Sequence, residues 1–206
     1  MPSQLIPRRV ADDVFEVQVA GAEEAQALAN SLRSSGQAED VVAGLSTVAI
    51  RFDPADETAI VSLLKAASTD APSSMPERAI IEIEINYGGE DGPDFELVCQ
   101  QLGLSEDAFI EQHAACEHKV DMIGFTPGFS YVSGVPSSWA IPRLSQARNR
   151  VAAGSVGMSA GYTGIYALAG PGGWPIIGRT RAPLFDAKAT EPFLLTPGQR
   201  VRFRVA

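Results

Sequence analysis

The first part of the chain alternates between two hydrophobic patterns. Apolar, β-branched stretches with a period of two predict strands, and apolar residues spaced three and four positions apart predict helices. The predicted strands are Val14–Val19, Leu45–Phe52 and Ala79–Asn86, and the predicted helices are Glu23–Leu32 and a second one opened by Asp53-Pro54. Strands alternating with helices are typical of a small α/β sandwich. We expect this domain to cover residues 1–85, with Ser68–Pro76 as a linker-like segment.

Two short helices and then a series of short strands follow. Asp91 or Gly92 is placed to cap the first helix, and Ser105 is placed to cap the second. From Lys119 onward, short apolar stretches are separated by Pro-Gly, Gly-Gly and Ser-Gly turns. This rhythm is typical of a closed β-barrel. The sequence therefore predicts an α+β fold in which residues 86–206 form a barrel domain.

Charge is distributed unevenly along the chain. Its 206 residues have a net charge of −9, yet the 64 residues from Met122 to Phe185 contain no Asp or Glu. The positive residues of this acid-free segment are all arginines: Arg143, Arg148, Arg150, Arg179 and Arg181. Arginine matches carboxylate and phosphate oxygens, and glycine, frequent here, lets backbone approach a ligand closely. The composition predicts a pocket for a small anion, and the alternative is a barrel whose outer arginines keep it in solution.

Composition also disfavours several classes of protein. No segment approaches the roughly 20 apolar residues of a membrane span, and the N-terminus does not have the apolar core of a signal peptide. The two cysteines do not make a disulfide framework. The acidic first half and the absence of a basic run argue against nucleic acid. We therefore expect a cytoplasmic protein without membrane or nucleic-acid partners.

Motifs for nucleotide, serine-hydrolase and zinc chemistry are incomplete. No phosphate-binding loop with its lysine occurs, so the chain does not bind ATP in that way. Gly157–Gly161 matches the nucleophile elbow of hydrolases, but no histidine follows Ser159 to complete a triad. One set of side chains could in principle bind zinc: Cys99, His113, Cys116 and His118. Their spacing differs from that of structural zinc sites, so we expect no metal site.

His113 has two interpretations. It follows Phe109 by four residues, which places it near the apolar face of a predicted helix. It is then either a hydrogen-bonded core histidine or a general acid and base, because histidine titrates near neutral pH.

A series of ordered motifs resembles one known family. These motifs are Asn86–Asp94, His113, Ile123–Tyr131, Pro142-Arg143, Gly154–Gly157, Thr163–Tyr166 and Pro171–Thr180. Together they are similar to the family of the 5-oxoprolinase B subunit, allophanate hydrolase subunit 1 and the KipI-type kinase inhibitors, which contains the carboxyltransferase subdomains C and D. The resemblance covers most of the chain and is dense from residue 86 onward.

The resemblance implies a fold, a partner and a cofactor. The fold would be a small α/β domain followed by a cyclophilin-like β-barrel. The partner would be a larger subunit with a related barrel, of the type of the 5-oxoprolinase C subunit or allophanate hydrolase subunit 2. ATP would be used together with that partner, and the activity would be the opening of 5-oxoproline to glutamate.

Our leading hypothesis is therefore a subunit of a heteromeric, ATP-dependent amide hydrolase that acts on a small anionic cyclic amide such as 5-oxoproline. The expected catalytic residues are His113, Tyr131 and Arg148, and the expected substrate-binding residues are Arg143, Arg150, Ser155, Thr163, Tyr166 and Arg179. Two alternatives are a carboxyltransferase module of the allophanate hydrolase or urea carboxylase type, and a non-catalytic inhibitor of a histidine kinase. Two observations would separate the enzyme from the inhibitor: a gene for the partner subunit next to this one, and ATP turnover by the pair, would each favour the enzyme.

Some positions depart from the family pattern. Tyr162 stands where the family usually has glutamine, and Ala167 stands where it usually has proline. An amide both donates and accepts hydrogen bonds through separate atoms, whereas a phenol offers one hydroxyl. The change at Tyr162 therefore bears on which substrate the chain takes.

Overall fold

The computed structural model describes residues 5–67 and 79–206. The chain divides into two compact units, Met1–Glu77 and Arg78–Ala206. Each unit contains both helices and strands, so the α+β fold expected from the sequence is confirmed. The linker-like segment predicted at Ser68–Pro76 lies outside the described residues.

The described residues of the first unit form a four-stranded antiparallel sheet and two α-helices. Its elements are β1 (Pro7–Ala11), β2 (Val14–Gln18), α1 (Ala22–Ser35), β3 (Asp40–Ala43), β4 (Thr47–Arg51) and α2 (Glu57–Ala67). The strand order is β1-β2-β4-β3. Alternate residues of β2, Phe15 and Val17, join the buried core together with apolar residues of α1 and α2. Strand β1 is exposed along most of its length, so it has no hydrophobic periodicity from which the sequence could predict it.

The second unit is built on a closed barrel, as the turn-rich pattern predicted. Its elements are β5 (Ile81–Tyr87), α3 (Phe95–Leu102), α4 (Glu106–Ala115), β6 (His118–Ile123), β7 (Ser130–Ser133), β8 (Arg148–Val151), β9 (Ser155–Ser159), β10 (Tyr162–Ile165), β11 (Gly170–Gly172), β12 (Ile176–Arg179) and β13 (Arg200–Val205). Seven strands close the barrel in the order β10-β7-β6-β13-β5-β12-β9. Strands β8 and β11 form a separate two-stranded ribbon.

Strand β5 belongs to the barrel, although the sequence interpretation placed it at the end of the first domain. It pairs in parallel with β13, with Ile83 opposite Phe203, and antiparallel with β12. Ile83 and Ile85 are buried in the barrel core. The division between the compact units accordingly falls at residues 77 and 78, before this strand. Its partner strand lies more than a hundred residues later, beyond the reach of local pattern.

The two helices of the barrel unit differ in how well their starts were predicted. Ser105 caps α4 as expected, because its hydroxyl accepts a hydrogen bond from the Ala108 N–H at 3.2 Å. Helix α3 begins at Phe95, later than the predicted cap at Asp91 or Gly92. Asp94 is its first flanking residue, but its carboxylate makes no capping bond. That carboxylate is used in a tertiary contact described below.

Strand β13 carries alternating arginines whose partners lie within the same chain. Val201 and Phe203, which alternate with the arginines, are buried in the core. Arg202 and Arg204 form ion pairs with Glu82 of the neighbouring strand β5. The acid that pairs with Arg202 and Arg204 thus comes from the same chain, because the parallel pairing of β5 and β13 brings Glu82 beside them.

Candidate functional site

The barrel unit contains a pocket of about 240 Å³ that is lined mainly by aromatic side chains. Its walls include Phe125, Phe129, Tyr131, Arg143, Tyr166 and Trp174. The rings pack edge to face, with 4.8 Å between the centroids of Phe129 and Tyr166 and 5.7 Å between those of Tyr131 and Trp174. Three predicted site residues, Tyr131, Arg143 and Tyr166, are thereby brought together. We call this cavity the aromatic pocket.

Glycines position the rings of the aromatic pocket. A Cβ at Gly164 of β10 would stand 2.6 Å from the Trp174 ring and 2.8 Å from that of Phe129. A Cβ at Gly172 of β11 would stand 2.5 Å from the Tyr166 hydroxyl oxygen. Such distances are well inside van der Waals contact, so only glycine lets these rings lie against the strands. The glycine-rich sequence therefore serves aromatic packing here.

The electrostatics of the aromatic pocket are simple. Burial raises the pKa of Tyr131 and of Tyr166, and the positive charge of Arg143 opposes both shifts. The two phenols therefore stay neutral near pH 7 and can donate hydrogen bonds. Among the described residues that line the pocket, Arg143 is the one charged side chain, and it is exposed. The pocket thus offers flat apolar walls, two hydroxyl groups and one guanidinium, which suits a small planar anion.

Phe125 lies at the pocket in an unusual backbone conformation. Its φ is +70°, in the left-handed region that bulky side chains rarely adopt. Its side chain is 61% exposed and packs edge to face on Phe129, with 5.5 Å between ring centroids. Strained backbone of this kind persists where the surrounding structure holds it and is common at ligand sites.

Arg148 is held by an internal carboxylate. Its Nη2 donates to Asp94 Oδ1 at 2.7 Å, and Asp94 Oδ2 accepts from the Ile176 N–H at 2.7 Å. Arg148 Nη1 is buried and makes no hydrogen bond with any described residue. The predicted catalytic role of Arg148 does not fit this ion pair, because the charge is already neutralised by Asp94. Arg148 does not line the aromatic pocket, although its positive charge acts to lower the pKa of Tyr166, as that of Arg143 does.

His113 lies in the barrel core and is fully buried. Its Nδ1 shares a hydrogen bond of 2.7 Å with the Tyr87 hydroxyl, and its Nε2 shares one of 2.9 Å with the Thr163 hydroxyl. The ring stacks on Phe203 with 4.8 Å between centroids. Burial, and then the nearby His118, lower its pKa well below the usual range. The core interpretation therefore fits the structure, and the predicted proton-transfer role does not fit a ring out of reach of solvent.

The remaining predicted residues lie in different places. Thr163 is fully buried and bonded to His113, so its hydroxyl is not offered to a substrate. Ser155 is buried in β9, whereas Arg150 is exposed. Neither residue lines the aromatic pocket or the second cavity of the barrel unit, which contains Arg179 and Arg181 in its wall. The predicted site residues Arg143, Arg148 and Arg150 are thus not brought together in one cavity, and of these three Arg143 alone lines the aromatic pocket.

A second cavity of about 400 Å³ holds the other two arginines of the acid-free segment. Its wall includes Asn86, Asp91, Gly154, Arg179, Thr180 and Arg181. Arg179 Nε donates to the Ala153 carbonyl oxygen at 3.0 Å. Sequence reasoning named Arg179 but missed Asn86, Asp91 and Arg181 as site residues, although the motif segments that include Asn86 and Asp91 were already conspicuous. We call this the two-arginine cavity.

In residues 5–67 and 79–206, no group of three or more His, Cys, Asp or Glu side chains is arranged to hold a metal ion. No helix in the same ranges is long and apolar enough to cross a bilayer. Cys99 is free and buried, and its pKa is raised to about 11 by burial and by the charge of Glu106.

Comparison with known proteins gives the family. The model of the carboxyltransferase domain, subdomain C and D, matches residues 10–195. The B subunit of 5-oxoprolinase from Escherichia coli O157:H7 is 47% identical over 128 residues, which are 62% of this chain and 59% of that protein. The B subunit of 5-oxoprolinase from Haemophilus influenzae is 36% identical over 180 residues, 87% of this chain and 84% of that one. The chain thus spans less than two thirds of the E. coli relative.

The fold also has a relative among solved structures. The crystal structure of TTHA0988 superposes with a TM-score of 0.79 at 31% identity, covering 94% of this chain and 40% of that one. The family match over most of the chain and the H. influenzae relative together show that this protein belongs to the family of the carboxyltransferase domain, subdomain C and D, as its sequence motifs predicted.

Proposed function

We propose that this chain is one subunit of a heteromeric, ATP-dependent amide hydrolase that opens a small anionic cyclic amide such as 5-oxoproline. The observation that carries the proposal is the aromatic pocket, with Arg143 beside Tyr131 and Tyr166. Two relatives from the same family are named as the B subunit of 5-oxoprolinase, which supports the same substrate class.

The chemistry of 5-oxoproline complements the aromatic pocket. Its carboxylate would meet the Arg143 guanidinium, which donates two parallel hydrogen bonds to such a group. Its lactam carbonyl would accept from a phenol, since burial keeps Tyr131 and Tyr166 protonated. Its compact, nearly flat ring would lie against Phe129 and Trp174, whose faces supply apolar contact. Pockets of this kind, apolar with a few placed polar groups, are typical of small-ligand sites.

The proposal assigns ATP and much of the chemistry to a complex with a partner. The described residues that line the aromatic pocket include no histidine or carboxylate, and the predicted base, His113, is buried in the barrel core. We therefore propose that a larger protein, of the type of the 5-oxoprolinase C subunit or allophanate hydrolase subunit 2, completes the site and that the single chain is inactive. Both relatives are named as subunits of an enzyme, which supports this arrangement.

Reconstitution tests the proposal. The chain is co-purified with the larger subunit encoded by the same source, and ATP hydrolysis is measured with and without 5-oxoproline. We expect 5-oxoproline to stimulate ATP hydrolysis. Arg143→Gln should reduce this stimulation tenfold or more, because it removes a charge-assisted hydrogen bond to the substrate. Arg150→Gln is the matched control, since it removes the same charge from a residue outside both cavities. Equal effects of the two substitutions, or no stimulation, would contradict the proposal.

A carboxyltransferase role is the second candidate, and the description of the family favours it. The same reconstituted complex is offered urea and allophanate in place of 5-oxoproline. Turnover of urea or allophanate, together with no turnover of 5-oxoproline, would favour this alternative.

A further inference from the structure

The two-arginine cavity is assembled from three segments that lie far apart in the sequence. Asn86 and Asp91 come from the end of β5 and the following turn, Gly154 precedes β9, and Arg179, Thr180 and Arg181 end β12 and follow it. Asn86 faces Arg179 directly in the pairing of β5 with β12. Each segment carries motif residues, but the aromatic pocket uses none of these side chains.

The floor of the cavity is rigid. The Thr180 N–H donates to the Gly154 carbonyl oxygen at 2.8 Å, which ties the two segments together. Gly154 has a φ of +82°, and a Cβ on it would stand 2.2 Å from the Thr180 carbonyl oxygen. Glycine is therefore required for this close approach. The Arg179 side chain is anchored on the same floor through its Nε bond to Ala153.

The guanidinium groups of the cavity are not neutralised. Among the described residues, Arg179 makes a hydrogen bond only to a backbone carbonyl, and Arg181 has neither a hydrogen bond nor an ion pair. Asp91 is the one acid among the described residues that line the cavity, and it forms no ion pair with either arginine. Two unpaired positive charges that line one concave site repel each other, so the arrangement favours an anion between them.

We propose that the two-arginine cavity binds the phosphate group of a ligand. Two guanidinium groups present more donors than a planar carboxylate accepts, whereas a tetrahedral phosphate offers three oxygens to several donors at once. The Asn86 amide adds a donor, and the Asp91 carboxylate is placed to accept from a hydroxyl or N–H group on the rest of the ligand. The cavity volume of about 400 Å³ exceeds what phosphate alone requires, which leaves room for a larger phosphorylated molecule.

This inference goes beyond the proposed function, because it stands on a different cavity. The aromatic pocket takes a small planar anion at Arg143, and the two-arginine cavity takes phosphate at Arg179 and Arg181. The acid-free segment thus builds two anion sites where the sequence suggested one.

Calorimetric titration of the full chain tests the assignment. Inorganic phosphate and ADP are titrated separately, at low ionic strength, into the wild-type protein and into Arg181→Gln, Arg179→Gln and Arg150→Gln. Arg181→Gln is the decisive variant, since the Arg181 side chain makes no hydrogen bond or ion pair with the described residues, and we expect the variant to fold as the wild type does. We expect each cavity substitution to weaken phosphate binding about tenfold to hundredfold, and Arg150→Gln to leave it unchanged.

The outcomes separate the possibilities. Tighter binding of ADP than of phosphate identifies a nucleotide as the source of the phosphate group, and equal affinities identify free phosphate. Absence of binding to the wild type at millimolar concentration overturns the proposal. So does an equal loss in Arg150→Gln, which would mean that only net charge matters. Binding of 5-oxoproline, followed in the same samples and abolished by Arg143→Gln, reports on the aromatic pocket separately.

Discussion

The buried histidine pair makes the stability of the barrel unit depend on pH. The chain has two histidines, and both lie in the core of the same barrel. His118 Nε2 donates to the His113 carbonyl oxygen at 2.8 Å, and the two rings meet with 4.9 Å between centroids. Burial lowers the pKa of both from 6.5, and the effect is larger for His113. Both rings are therefore neutral in the folded protein near pH 7.

The sign and size of the effect follow from proton binding. Below pH 6.5 the unfolded chain protonates its histidines while the folded chain resists, so the unfolded state is favoured as pH falls. For a group that titrates at 6.5 only when unfolded, the free energy of unfolding drops by about 1.4 kcal/mol between about pH 8 and pH 5.5. A histidine that stays neutral in the folded protein over this range contributes this amount, so His113, whose pKa is lowered the more, contributes more than His118.

Urea denaturation followed by tryptophan fluorescence measures this change directly. The two tryptophans of the chain, Trp139 and Trp174, are both buried in the barrel unit, so their emission reports on that unit. We expect the midpoint to fall between pH 8 and 5.5, and we expect the double substitution His113→Gln and His118→Gln to lower the midpoint at pH 8 but flatten its pH dependence. Equal midpoints at both pH values in the wild type, or an unchanged pH dependence in the double variant, would refute the reasoning.

Two further predictions concern the ion pair of Asp94 with Arg148 and the packing of the Trp174 ring against Gly164. Asp94→Asn removes the ion pair with Arg148 and should lower the free energy of unfolding by about 1.5–3 kcal/mol in urea titrations at neutral pH; a loss below experimental error would show that the pair contributes nothing. Gly164→Ala places a methyl group against the Trp174 ring and should destabilise by about 1–3 kcal/mol while weakening 5-oxoproline binding. Gly170→Ala, where a Cβ meets no atom within 4 Å, is its control and should match the wild type in both measurements.

Local sequence pattern determined much of this protein by itself. The period-two alternation in β2 and β5 and the helix cap at Ser105 depend on neighbours a few residues away. The same is true of the short strands and turns of the barrel. Each of these features can therefore be predicted from the sequence directly. The resemblance of whole motifs was enough to identify the family, because their order along the chain is specific. Composition singled out the acid-free segment, whose residues Arg143, Arg179 and Arg181 line the two cavities.

Tertiary structure alone decided how those residues are grouped. Arg148 meets Asp94 across 54 positions, and His113 meets Thr163 across 50, so no local period could show that one charge was neutralised and one ring buried. Barrel closure separates Arg143 from Arg179 and Arg181 into two cavities, although all three lie in one acid-free segment. Composition specifies which groups are available, but their grouping depends on which strands pair, and strand pairing is set by long-range burial of apolar side chains.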